Sequence, residues 1–211
     1  MPATMTDANA IAGFLPSSHG LHFANRYPPG PTVRLGVLDP RLLGVGDAEA
    51  GLCGGMSWFV RERFEAGLPI PADTVAPANG SALFRAIVRR QVQSLDWLRG
   101  PLRFWLSAGM SGDRLRRQTL EVEWPRIRAS IDGGRIAMLG LVRHHGWNPF
   151  ELDKDHTVLA FGYESASPSG PHTLRLYDPN WPDRDAVTLT LMSSGLLQST
   201  GEQLVGVILL G

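Results

Sequence analysis

Residues 51–67 have the sequence GLCGGMSWFVRERFEAG, which predicts an amphipathic helix with the chain's single cysteine, Cys53, in its first turn. Apolar residues recur at helical spacing and mark one buried face: Met56, Phe59, Val60 and Phe64. Gly67 is expected to end the helix, because glycine is common just after a helix C-terminus. Cys53 therefore lies at the start of a helix, directly after a loop, with glycines on both sides.

The segments around this helix predict an α+β fold. Helical patterns with inward-facing Leu83, Phe84, Ile87 and Val88 follow Ser81, and further helical pieces are expected at 102–106, 113–120 and 123–133. Strand patterns then follow at 136–142, 156–163, 172–177, 186–191 and 204–210. A helical first half followed by a run of strands is typical of helices packed on one side of a mostly antiparallel sheet.

The chain of 211 residues is expected to form one domain. Residues 1–50 are rich in proline, glycine and other turn formers, and predict an irregular N-terminal arm packed on the domain, with a short strand at 33–38. Residues 51–211 are expected to form the domain itself, since 43 % of the chain is hydrophobic and can build a packed core.

Composition argues against several classes of partner. The 20 basic residues balance the 20 acidic ones, so the chain lacks the net positive charge typical of nucleic-acid-binding proteins. Residues 1–18 lack the basic start and long apolar run of a usual signal peptide, and no apolar run reaches the ~20 residues that span a membrane. We therefore expect a soluble, cytoplasmic protein without a membrane partner. One cysteine cannot form an intramolecular disulfide. The sequence indicates no cofactor and no particular oligomeric state.

Cys53 is the strongest candidate for chemistry. A cysteine attacks as the thiolate, and the N–H groups and dipole of a helix N-terminus lower the pKa of a thiol. Gly51, Gly54 and Gly55 flank it, and glycine lets a substrate approach while leaving backbone N–H groups open to a developing oxyanion.

A cysteine nucleophile needs a base, and its base needs an orienting acceptor. His156 opens the apolar strand HTVLAFGY, so the sheet can fix its backbone while its ring projects from the strand end. Asp178 follows the strand TLRLY and precedes Pro179, which places it where a neighbouring antiparallel strand ends. We therefore predict His156 as the base and Asp178 as its orienter, with Asn180 as the second candidate for the orienting role.

These three motifs, GLCGGMSW, HTVLAFGY and LYDPNW, in the order Cys, His, Asp resemble the papain-like cysteine peptidase superfamily. The Asp-Pro pair and the compact strand block are most similar to the bacteriocin-processing leader peptidases and their bacterial relatives. The resemblance implies a helical lobe bearing the nucleophile Cys53, a sheet lobe bearing His156 and Asp178, and a cleft between them. It implies a thiol hydrolase that acts on a peptide or amide substrate through an acyl-enzyme.

The chain departs from the superfamily's pattern at one position. Papain-like peptidases usually carry a glutamine about six residues before the cysteine, whose amide donates to the oxyanion, but Asp47 stands there. Asn25, in HFANRYP, is our first candidate for a substitute donor. Gly54, Asn180 and Trp181 complete the candidates for oxyanion or substrate binding.

Three alternatives to a hydrolase remain open from the sequence. The departure at Asp47 favours an inactive papain-like module that binds or scaffolds. The same three catalytic residues could instead serve an acyltransferase with an amine acceptor. A metal site could use His19 and His22, or His144 and His145, together with Cys53, although neither pair has the spacing of a tetrahedral site.

Overall fold

The structure is a computed structural model, and it describes residues 7–27, 52–96, 110–143 and 156–211. Side chains are described throughout these ranges except at positions 92 and 94–96. The strand predicted at 33–38 and the helical piece predicted at 102–106 lie outside the described residues. So do Asp47, His144 and His145.

Helix α1 is the short turn Pro16–His19, and helix α2 spans Cys53–Glu65. Cys53 is the first residue of α2, where the sequence predicts it. Met56 and Val60 are fully buried on the predicted inward face. Gly67 follows the helix with φ of +63°, a conformation that glycine adopts without strain, so the helix ends where its sequence predicts.

Helix α3 spans Ala82–Asp96 and packs against α2. Ser81 caps it, since its Oγ accepts a hydrogen bond of 3.2 Å from Phe84 N. Phe84, Ile87 and Val88 are buried, as their spacing predicts. The two helices approach closely at Gly55, where an added Cβ would lie only 2.3 Å from Ile87 O.

Residues 112–132 form one continuous helical run, in which α4 (Gly112–Gln118), a π-helical turn (Thr119–Glu123) and α5 (Trp124–Asp132) follow without a break. The predicted interruption between Leu120 and Glu123 is therefore wrong. In the π-helical turn, Trp124 N bonds to Thr119 O, five residues earlier, in the wider pattern of a π-helix. Pro125, the next residue, has no N–H to donate to the carbonyl four residues earlier. The helix ends before Gly133, as predicted.

The strands form one antiparallel sheet. They are β1 (Asp7–Ala10), β2 (Ala137–Val142), β3 (His156–Ser165), β4 (His172–Tyr177), β5 (Thr188–Met192), β6 (Gly195–Gln198), β7 (Gln203–Leu204) and β8 (Gly206–Leu209). Their order is β7-β6-β5-β4-β3-β2-β8, and β1 pairs with the second half of β3 while β2 pairs with the first half. The predicted α+β class, with an antiparallel sheet, is confirmed.

The strand predictions are wrong in three places. Strand β1 is not predicted, because its residues are mostly exposed and carry no alternating apolar pattern. The short β6 is not predicted either. The strand predicted at 204–210 is two strands that separate at Val205: β7 pairs with β6, and β8 pairs with β2 at the other side of the sheet. A continuous apolar run does not reveal that its two halves have different partners.

The hydrophobic core joins the helices, the sheet and the N-terminal segment. Helix α2 contacts β3, and α5 contacts β2 and β3, so both helices lie against the strand that begins with His156. Leu21, Phe23 and Tyr27 of the N-terminal segment are buried in the same core. In the part of the chain that the structure describes, no helix combines the length and apolar character of a membrane span.

Candidate active site

Helix α2 and strand β3 bring Cys53 and His156 together. Ser57, one turn into α2, is fully buried, and its Oγ donates a hydrogen bond of 3.1 Å to Thr157 O. This bond ties the first turns of the helix to the first residues of the strand. Cys53 is partly exposed, and its thiol interacts with the imidazole of His156, which is itself almost fully buried.

Strand β4 supplies Asp178. Leu159 of β3 pairs with Tyr177, the last residue of β4, so the residue after Tyr177 lies beside the beginning of β3. Asp178 Oδ1 is 2.6 Å from His156 Nε2, and both side chains are buried. A carboxylate only accepts, so Nε2 is the donor in this bond and Nδ1 is the ring nitrogen left to face Cys53. The imidazole is therefore held between the thiol and the carboxylate.

Interactions among Cys53, His156 and Asp178 shift the pKa values of these side chains. Burial raises the pKa of the Cys53 thiol, but its hydrogen bond to His156 and the charge of that ring, with further bonds from Thr157, bring the pKa below its ordinary value. Burial lowers the pKa of His156, while the hydrogen bonds to Asp178 and Cys53 raise it to about 9. Both directions favour a thiolate beside an imidazolium, which is the reactive form of a cysteine nucleophile.

Asp178 is held ionised by three donors. Burial raises its pKa, but hydrogen bonds from His156, from Asn180 N (2.8 Å) and from Gln198 Nε2 (2.6 Å) hold the pKa below its usual value. Gln198 is 1 % exposed and lies at the end of β6. Gln198 is not among the predicted site residues, because the segment GLLQ has two adjacent leucines and no alternating apolar pattern that would turn the glutamine inward.

Thr157 is a second site residue that is not predicted from the sequence. Its backbone and its side chain are both causes that lower the pKa of the Cys53 thiol, so both favour the thiolate. Thr157 follows His156 directly on β3, where side chains alternate between the two faces of the sheet. Sequence alternation therefore separates Thr157 from His156, and only the position of α2 over the strand end brings both to one sulfur.

Asn25 lies beside the residue that precedes Cys53. Its Oδ1 accepts a hydrogen bond of 2.7 Å from Leu52 N, and its own backbone N–H donates to Pro179 O at 2.9 Å. The N-terminal segment thus reaches both the start of α2 and the loop after Asp178. Because Oδ1 is used by Leu52, the Nδ2 group is the part of the Asn25 amide that remains to donate toward the site.

Gly55, the second glycine after Cys53, lies at the contact between α2 and α3. Gly54 and Gly55 are both buried. Gly55 N donates to Gln91 Oε1 of α3 at 2.6 Å, and a side chain at Gly55 would strike the α3 backbone. Gly55 thus allows α2 and α3 to approach each other closely. The N–H groups of Cys53 and Gly54 belong to the first turn of α2, where helix N–H groups have no acceptor within the helix.

Asn180 and Trp181 lie on the loop that follows Asp178. The Asn180 side-chain nitrogen is 3.3 Å from His156 Nε2, a longer contact than that of Asp178, which makes the short bond. Trp181 is 37 % exposed, and the Arg184 guanidinium stacks over its ring with Cζ 4.7 Å from the centroid. This pair forms a partly exposed aromatic surface near the candidate site.

Two of the histidines considered for a metal site, His19 and His22, have other partners. His19 packs against Phe14 and Phe64, and His22 Nδ1 is 2.6 Å from Asp183 Oδ1. Within the described ranges, no three His, Cys, Asp or Glu side chains are grouped closely enough to hold a metal ion.

A cavity of about 660 Å³ lies near the other end of α2, between Arg61, Arg126 and the final strand, and Cys53 is not among its lining residues.

Comparison of the chain with family models, with curated proteins and with solved structures finds no match. Function must therefore be argued from the site itself.

Proposed function

We propose that the protein is a cysteine hydrolase of the papain-like type, acting on peptides or other amides by acyl transfer. The observation that carries this proposal is the buried His156 ring, which is hydrogen-bonded to Asp178 and interacts with the Cys53 thiol. A cysteine packed only as a small apolar residue needs no buried imidazole beside it, and a buried ionisable pair is costly unless each partner is satisfied. The position of Cys53 at the start of α2 and of His156 at the start of β3 also supports this proposal.

In the proposed reaction, Cys53 Sγ attacks the carbonyl carbon and an S–C bond forms as the C=O electron pair moves to oxygen. His156 gives its proton to the leaving amine, the C–N bond breaks, and an acyl-thioester remains on Cys53. A water molecule then attacks the thioester while His156 takes its proton. The carboxylic acid leaves and the Cys53 thiolate is restored. Asp178 holds the ring orientation throughout and favours the imidazolium.

Asn25 is the proposed side-chain donor to the oxyanion, in the role that the papain-like superfamily assigns to a glutamine. Its Oδ1 is fixed by Leu52 N, which immediately precedes Cys53, so its Nδ2 group is held at the start of α2. The backbone N–H of Cys53 is the natural second donor, because the oxyanion forms one bond away from the carbon that the sulfur attacks.

The pH dependence of iodoacetamide alkylation tests the nucleophile and its base together. Alkylation requires the thiolate, so its rate follows the ionisation of Cys53. We expect the wild-type midpoint to lie below that of an ordinary thiol, about 8.5. His156→Gln should raise the midpoint toward that value and slow alkylation at pH 6 by roughly tenfold for each pH unit of the change.

The matched control is His172→Gln. His172 is buried to the same degree as His156, but it stacks on Trp124 and bonds to Ser165. Its replacement should leave the midpoint unchanged. A wild-type protein that alkylates at the rate and with the pH dependence of a free cysteine would reject the hydrolase. Such a result would favour the inactive binding or scaffolding module instead.

A further inference from the structure

Gln198 buries an amide of which only one half is used. The residue is 1 % exposed, and its Nε2 donates to Asp178 Oδ2 at 2.6 Å. Because a carboxylate only accepts hydrogen bonds, the amide has to turn its NH₂ group toward Asp178. Its Oε1 is then buried without a partner among the described residues, which is unfavourable. An apolar side chain of similar volume would avoid this cost, so the amide is explained by its bond to Asp178.

The main chain of Gln198 is held on both sides of the residue. Gln198 pairs with Leu189 across strands β5 and β6. Its N–H donates to Glu202 O at 2.9 Å, and its carbonyl accepts a hydrogen bond of 2.9 Å from Gly201 N, in the turn between β6 and β7. The amide therefore extends toward Asp178 from a backbone position that the sheet and the turn fix together.

The two oxygens of the Asp178 carboxylate have different donors. Oδ1 accepts from His156 Nε2 at 2.6 Å and from Asn180 N at 2.8 Å. Oδ2 accepts from Gln198, which is its one donor among the described residues. The terminal torsion of an aspartate is soft, so donors on both oxygens are needed to fix the carboxylate plane. Without Gln198, Oδ2 would be a buried charged oxygen with no donor, and the carboxylate would rotate or take up a proton.

We propose that Gln198 is a positioning residue for the reaction, whose amide fixes the Asp178 carboxylate so that Oδ1 faces His156. This inference rests on the proposed acyl-transfer function and adds a residue that acts through Asp178 without touching the substrate. A rotated or protonated Asp178 offers less negative charge to the His156 ring. The proton then returns from the ring to the Cys53 sulfur, and the fraction of reactive thiolate falls.

The pH midpoint of Cys53 alkylation by iodoacetamide tests this role, because only the thiolate reacts. Gln198→Met keeps a similar volume but has no donor, and it should raise the midpoint by about one pH unit, a tenfold change in the ionisation constant. Gln198→Glu supplies the rescue. Two buried carboxyl groups in contact share one proton, so the introduced group can donate its O–H to Asp178 Oδ2 and keep the midpoint within about 0.5 pH units of wild type.

Leu196→Val is the matched control. Leu196 also lies on β6 and is 2 % exposed, but it has no polar group to give to the site. Loss of one methylene there weakens the packing of the same strand, which urea unfolding measures. The alkylation midpoint should nevertheless stay within about 0.3 pH units of wild type, since the donor to Asp178 is unchanged.

Each outcome decides the question. A Gln198→Met midpoint equal to that of wild type overturns the positioning role, although the hydrolase proposal survives. The same holds if Leu196→Val raises the midpoint as much as Gln198→Met does, because strand packing then explains the shift. If Gln198→Met is too unstable to titrate, Gln198→Glu decides, and a midpoint about one pH unit above wild type counts against the donor. If wild type itself titrates as a free cysteine, the hydrolase proposal fails, and the role of Gln198 fails with it.

Discussion

Gly55→Ala should destabilise the protein, although the same substitution stabilises most helices. Gly55 lies in the first turns of α2, and a Cβ there would be 2.3 Å from Ile87 O and 3.0 Å from Gln91 N. Both atoms belong to the α3 backbone, which cannot rotate away as a side chain would. Ordinary contact begins near 3.4 Å, so the two helices would have to separate by about 1 Å at this point.

The opposing contributions can be compared. Alanine improves helix propensity over glycine by about 1 kcal/mol. Overpacking of a well-packed contact costs about 1–3 kcal/mol, and loss of the bond from Gly55 N to Gln91 Oε1 adds about 1 kcal/mol. We expect a net loss of about 1–3 kcal/mol in the free energy of unfolding. Since Cys53 lies half a turn earlier, a shift of about 1 Å would also misplace its sulfur and slow acylation by roughly 10²-fold.

Urea unfolding followed by tryptophan fluorescence measures the first effect, and p-nitrophenyl acetate acylation measures the second. Gly195→Ala is the control, because a Cβ at Gly195 meets no atom within 4 Å and the change should stay within about 0.5 kcal/mol. A Gly55→Ala variant as stable as wild type would refute the close contact between α2 and α3. The glycine would then have to be explained by substrate approach instead.

Two further substitutions, at Thr157 and Asp178, test the polar contacts of the site. Thr157→Val removes one donor to the Cys53 thiolate and should raise the alkylation midpoint by up to about one pH unit, whereas Thr157→Ser should keep it; an unchanged midpoint in the valine variant would contradict the contact. Because the pKa of Asp178 is held below its usual value, its ionisation stabilises the fold above that usual value, and this contribution is lost as pH falls through the folded-state pKa. Between about pH 4 and the folded-state pKa, wild type should therefore lose up to about 1.4 kcal/mol of stability per pH unit. Asp178→Asn should lack this component in urea titrations, and parallel acid curves for the two proteins would speak against it.

Local patterns predict the start of the site well. The spacing of Met56, Phe59 and Val60 fixes the inward face of α2, and Gly67 fixes its end, so Cys53 falls in the first turn whatever the rest of the chain does. His156 and Asp178 each lie next to a strand whose apolar pattern is clear, and a hairpin brings such strand ends together. These features depend on interactions within about twenty residues, which sequence periodicity records.

Features that depend on distant partners could not be predicted in this way. The separation of residues 204–210 into β7 and β8 follows from pairing with β6 on one side and β2 on the other. Gln198 becomes a partner of Asp178 only because β5 and β6 extend the sheet beyond β4. Gly55 is visible in the sequence as a glycine close to Cys53. The contact that requires a glycine there is made by α3, in a later part of the chain.

The polar side chains of the site are more buried the farther they lie from the Cys53 sulfur. Cys53 is partly exposed, His156 and Asp178 are 2 % exposed, and Gln198, the last member, is 1 % exposed. Burying this many polar groups is unfavourable unless they are paired. His156 and Gln198 both bond to the Asp178 carboxylate, while Gln198 Oε1 has no partner among the described residues. A fold that needed only stability could fill this space with apolar side chains at no loss. The arrangement is instead suited to holding one imidazole in one orientation beside one thiol, and the exclusion of water on the side away from the sulfur increases the electrostatic interaction between them.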